Sequence, residues 1–233
     1  MDETAAFAAA RRRVLDRIAE ACARAGRDVG SVTLVAVSKT VPADRLRSAV
    51  AAGLTVLGEN RVQEAENKFH EVPGATWHLV GSLQSNKVRR ALELFDVVET
   101  VDSVDLARRL DRLAAEIRPD RRVPVLLQVN VDVDPAKHGF QPAAVGPALD
   151  ELLSLPAIDI RGLMTVGRLS ADRAVTRETF RGLRLLGESL RARWPTLGPD
   201  LSMGMTDDFE TAIEEGATIV RVGRALFGAR PHP

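Results

Sequence analysis

Apolar positions recur in two rhythms along this chain. The first is helical: Phe7, Val14, Ile18 and Cys22 fall on one face of a stretch that predicts a helix over roughly residues 3–25, with Gly26 as its stop. Beyond it, short apolar runs of strand length alternate with amphipathic stretches of helical period. Runs at 32–37, 55–57, 77–80, 97–101, 123–131, 158–166, 201–203 and 218–222 predict eight strands. Each leads into a predicted helix, at 42–52, 61–70, 84–94, 103–117, 143–153, 172–193, 207–214 and 224–227, with Ser103 suited to cap the fourth of these. Eight such units predict an α/β fold, a single (β/α)8 TIM barrel with an additional N-terminal helix. An open doubly wound sheet uses the same alternation and is the second choice. No flexible linker and no solenoid-length repeat interrupts the pattern, so residues 1–233 are expected to form one domain.

The unusual residues gather at one end of these strands. Lys39 ends the first, Glu59 and Asn60 the second, and Gly81 follows His78 of the third. Asn130 ends the fifth strand, and Met164 and Thr165 the sixth. Ser202, Gly204, Met205 and Thr206 end the seventh, and Arg221, Gly223 and Arg224 the eighth. In a barrel these ends share the rim where active sites are built. After strands 7 and 8 the chain passes through a glycine into a helix start, which suits an anion, a phosphate above all. Taken singly, either glycine could merely shape a turn. Lys39, carried on an apolar run, has the chemistry to attack an aldehyde.

Composition narrows the field. Lys plus Arg number 32 and Asp plus Glu 32, for zero formal charge, and aromatics are 4%. Neither the charge nor the stacking surface of a nucleic-acid binder is present. The basic run NKVRR at 86–90 reads as a solvated helix start. Cys22 stands alone and excludes an intramolecular disulfide. His70, His78, His138 and His232 show no metal-ligand spacing. The start, MDETAAFAAARRR, lacks the order of a signal peptide, and no apolar run has membrane length, so a cytoplasmic protein is expected. Tyrosine is absent altogether.

Seven segments now carry a resemblance: VAVSKT around Lys39, GENRVQE at 58–64, WHLVGSLQSNK at 77–87, KHGF at 137–140, GLMTVG at 162–167, LSMGMTDDFETAI at 201–213 and VRVGRALFGAR at 220–230. In that order they resemble the pyridoxal 5′-phosphate (PLP) homeostasis protein family, also called the YggS family, which is related to the N-terminal barrel of alanine racemase. The resemblance implies that Lys39 carries PLP as a Schiff base. It implies that Thr206 and the backbone of Gly223 and Arg224 cradle the phosphate, and that Arg221 meets the pyridine nitrogen. Asn60, His78, Met164, Ser202 and Met205 follow as wall residues. Two positions depart from the family pattern: Thr206 stands where Ser is commoner and keeps the hydroxyl, and His138 stands where a small residue is commoner.

An arginine can only donate to the ring nitrogen, which then stays unprotonated and withdraws electrons poorly. In the related racemases a tyrosine from a second domain serves the second face of the substrate, and this chain has neither. The reading is therefore a PLP-binding protein in PLP homeostasis, storing, buffering or delivering the cofactor without robust catalysis. PLP-dependent apo-enzymes are its conceivable recipients, and it is expected to be a monomer or weak homodimer that binds neither nucleic acid nor membrane. A PLP-dependent amino-acid racemase of the same barrel type is the alternative. A Schiff-base aldolase ranks lower, because strands 5 and 6 carry no lysine.

Overall fold

In a computed structural model, residues 2–168 and 172–228 are described; His232 and the last two residues of the final matching segment lie outside them. The chain opens with helix α1 (Glu3–Arg24), which buries Phe7, Val14, Ile18 and Cys22 as the helical spacing predicts. Gly26 ends it at a φ of +64°, with the Arg27 N–H returning to Cys22 O at 2.9 Å.

Eight strands follow: β1 (Thr33–Val37), β2 (Val56–Glu59), β3 (Thr76–Leu79), β4 (Val97–Val101), β5 (Val123–Gln128), β6 (Ile158–Met164), β7 (Asp200–Ser202) and β8 (Ile219–Val222). They pair in parallel in chain order and close, β8 on β1, into a barrel. The helices between them are α2 (Ala43–Ala51), α3 (Val62–Glu66), α4 (Val88–Leu94), α5 (Val104–Ile117), α6 (Pro142–Ser154), α7 (Arg173–Arg193) and α8 (Phe209–Glu214), with α9 (Arg224–Phe227) after β8. The closed barrel settles the choice against an open sheet.

Two apolar regions result. The larger lies between the strands and the surrounding helices and includes Trp77, Phe95, Phe180 and Phe209. A second, smaller cluster joins Val35, Leu126, Met164 and Ile219, with Val56, Val80 and Val166 against it. It joins residues of β1, β5, β6 and β8 across the circle, so it lies in the barrel interior. Among the described residues no helix is long and apolar enough to cross a membrane.

Candidate functional site

Register decides which polar side chains share that interior. Partners in a parallel ladder point to the same face, and residues two apart on one strand do too. Arg221 pairs with Val35, and Ser202 with both Met164 and Ile219, so both turn inward. A Cβ on Gly58 would meet Val35 and Val80, which places Gly58 on the inner face and its partner His78 beside it. His78 pairs with Val97, and Glu99 lies two residues further along β4.

These four polar residues form one hydrogen-bonded set. His78 Nδ1 is 2.6 Å from Glu99 Oε1, and Ser202 Oγ donates to Glu99 Oε2 at 2.5 Å. Arg221 Nη1 donates to Ser202 Oγ at 2.5 Å and Nη2 to Thr165 O at 2.8 Å. Glu99 is fully buried. Burial alone would push its carboxyl up, but the hydrogen bond and charge of His78, the charge of Arg221 and the Ser202 hydroxyl hold it below the usual carboxylate range. Burial pulls the Arg221 guanidinium down from its ordinary value, against the pull of Glu99 and Asp208. A guanidinium remains a cation in proteins all the same.

A second buried set lies beneath the end of β1. Lys68 Nζ donates to Glu59 Oε1 at 2.8 Å and to the carbonyl of Ser38 at 3.1 Å. Ser38 Oγ donates to the same Glu59 oxygen at 2.7 Å. Ser38 is the residue before Lys39, so a buried ammonium grips the peptide group that carries Lys39. Burial raises the Glu59 carboxyl despite Lys68. Immediately after Lys39, Thr40 has a φ of +63°, a rare conformation for a β-branched residue and a local strain of the kind found at functional sites.

The turns after β7 and β8 meet above Arg221. Its N–H donates to Gly204 O at 3.0 Å, tying the two strand ends together. Gly204 has a φ of +90°, and a Cβ there would lie 2.5 Å from that of Ala212, so this glycine is required by the backbone whatever it also binds. Asp208 accepts from the Met205 N–H at 2.6 Å, and burial raises its carboxyl. Gly223 precedes α9, which has no side-chain cap; the first N–H groups of a helix have no acceptor within it. Gly223 also abuts β1, because a Cβ there would be 3.2 Å from Val37 O.

The alanine racemase N-terminal domain family model matches residues 14–231. A Pseudomonas aeruginosa relative, the pyridoxal phosphate homeostasis protein, is 45% identical over 94% of each chain. This chain belongs to the pyridoxal phosphate homeostasis protein family. Among solved structures, PipY of Synechococcus elongatus with PLP bound is 43% identical, with a TM-score of 0.80, covering 92% of this chain and all of that one. The Clostridium difficile alanine racemase shares the fold, with a TM-score of 0.73 at 15% identity, and 57% of its length is covered.

In this PLP homeostasis family member, the structure unites His78, Ser202 and Arg221 in one network and puts Met164 in the apolar interior beside them. Lys39 lies two residues past β1, half-buried, rather than at the strand's last position. Asn60 follows β2 and is half-buried; its carbonyl leaves room only for a glycine at position 81, where a Cβ would be 2.2 Å away. Met205 and Thr206 are half-buried in the turn after β7. The Arg224 side chain is exposed and pairs with Asp207, which leaves its backbone as the part able to face a ligand. Asn130 is committed elsewhere: its side chain closes its own loop onto Asp134 and Lys137. Sequence reasoning missed Glu99, Lys68 and Asp208. Glu99 had left one signal, an acid in the middle of the apolar strand VVETV.

Proposed function

We propose that this chain binds PLP as an imine on Lys39 and acts in PLP homeostasis, storing, buffering or delivering the cofactor without robust catalysis. The observation that carries this reading is the convergence, on adjacent strands of one barrel mouth, of the Lys39 turn, the buried cation Arg221 and the two turns after β7 and β8. PLP supplies an aldehyde that an amine captures reversibly, and every other part of the fit concerns this chain's own groups. Arg221 spends two of its five N–H donors on Ser202 and Thr165, so others remain for a ring nitrogen. The Thr206 hydroxyl and the backbone of Gly223 and Arg224 would hold the phosphate. Asn60, His78, Met164, Ser202 and Met205 would form the wall. We take residues 1–233 as one PLP-binding unit working in the cytoplasm, where the lone buried Cys22 suits a reducing medium. PLP-dependent apo-enzymes are its proposed recipients.

Weak catalysis follows from what the inner wall offers a substrate. The chain has no tyrosine, the residue type that serves the second face of the substrate in the related racemases. A visible spectrum of the purified protein with PLP tests the proposal. An imine band is expected in the parent and none in Lys39→Ala; a band that survives the substitution overturns it. Sustained racemisation of L-alanine, followed by chiral analysis, would instead establish an enzyme.

A further inference from the structure

We infer that Glu99 is a positioning residue for the ring-nitrogen end of the cofactor, holding the Arg221 guanidinium through Ser202 and the His78 ring through Nδ1. This rests on the PLP reading above.

The direction of each hydrogen bond is forced. A guanidinium only donates, so Ser202 Oγ accepts from Arg221 Nη1. The single hydroxyl proton of Ser202 is then left for Glu99 Oε2. A carboxylate only accepts, so His78 Nδ1 must carry the proton it shares with Oε1. With Thr165 O on Nη2, two anchors fix the plane of the guanidinium.

Around Glu99, β3 presents His78, β8 presents Arg221 with Nη1 at 3.9 Å, and the turn after β7 adds Asp208 near Arg221. β5 and β6 present Leu126 and Met164, both uncharged. On the Lys39 side stand the Glu59–Lys68 pair and Glu64, which reaches the Thr40 N–H. Glu99 is thus the carboxylate that directly balances Arg221 within the interior. Without it the wall would offer an excess positive charge, held less firmly, to any group bound against it.

The test uses purified Glu99→Gln and Ser202→Ala loaded with PLP beside the parent. Loss of the carboxylate disfavours a protonated imine, so in Glu99→Gln the band should titrate about one pH unit lower and PLP should bind roughly tenfold more weakly. Ser202→Ala severs the bridge but keeps the Glu99 carboxylate and its bond to His78, removing one wall hydroxyl, and should shift affinity in the same direction by less. A parent without an imine band sinks the PLP reading itself. A parent with the band, and variants that titrate and bind as it does, sinks the role of Glu99 alone. Should Glu99→Gln fail to fold, Ser202→Ala decides: parent-like affinity in that variant overturns the inference.

Discussion

Lys39 stood out as the proposed imine site because its signal is local: a lysine closing an apolar run, in a segment with a family resemblance. Lys68 was not, because its meaning lies in partners 9 and 30 residues away. Nothing in the pattern of 61–70 distinguishes it from a solvated lysine, yet it is 8% exposed. Its ammonium joins Glu59 to the peptide that carries Lys39. Replacing it by methionine keeps the length of the side chain and leaves Glu59 buried without its cation. Breaking a buried pair from one side costs about 3–5 kcal/mol, the lower end being expected here because burial raises the Glu59 carboxyl and so eases its protonation once the cation is gone. Urea denaturation of Lys68→Met should show that loss, with weaker PLP binding as the Ser38–Lys39 turn loosens. A further Glu59→Gln change should recover part of the stability, and no recovery would argue that the pair is not a unit.

At the scale of elements, alternation was enough for order and type, and contacts between elements moved the ends. The spacing predicts one helix over 61–70, but α3 stops at Glu66 and a 3-10 turn takes Phe69–Glu71. Lys68 sits between them, with its side chain drawn inward to Ser38. Likewise 84–94 divides into a 3-10 turn at Ser85–Lys87 and α4. The run predicted through 131 ends as a strand at Gln128; Val129 bridges to Phe140 while its N–H still donates to Met164 O of β6 at 2.8 Å. The basic run at 86–90 proves ion-paired where it lies on α4, Arg89 to Glu116 and Arg90 to Glu66 and Glu93. Capping was the most readable boundary signal. Ser103 Oγ accepts from the Leu106 N–H at 3.3 Å, as its place before an amphipathic stretch implies. Ser103→Ala should cost about 1 kcal/mol, read as a lower urea midpoint with an unchanged slope. A loss below a few tenths would mean that water caps α5 equally well.

At the scale of the molecule, α1 does something its own amphipathic face does not announce. It packs on α2 from the first unit and on α8 and α9 from the last two, so it covers the seam where β8 closes on β1. Phe7 meets Phe227 edge to face, with ring centres 5.6 Å apart, and Phe7→Ala should cost about 3–5 kcal/mol. Ion pairs clip the other end of the helix: Arg17 to Glu210 at 2.9 Å and Arg24 to Glu214 at 2.8 Å. The Arg17 hydrogen bond holds Glu210 below its ordinary range, and Arg177 followed by Arg24 does the same for Glu214. A carboxylate lowered in the folded state adds stability that is fully present above its unfolded value and is lost as the pH falls through the folded one. Stability is therefore expected to hold from neutrality down to about pH 5 and to decline below about pH 4. Because Arg17 and Arg24 are partly exposed, the decline should weaken in high salt. Hydrogen exchange resolves where the loss begins: the amides of α1 should open before those of β4 and β5 as acid is added. Since α1 covers the seam next to the Lys39 turn, PLP release should accompany that opening and precede global unfolding. Release that tracks only the melting of the whole barrel would show that α1 and the cofactor mouth are uncoupled.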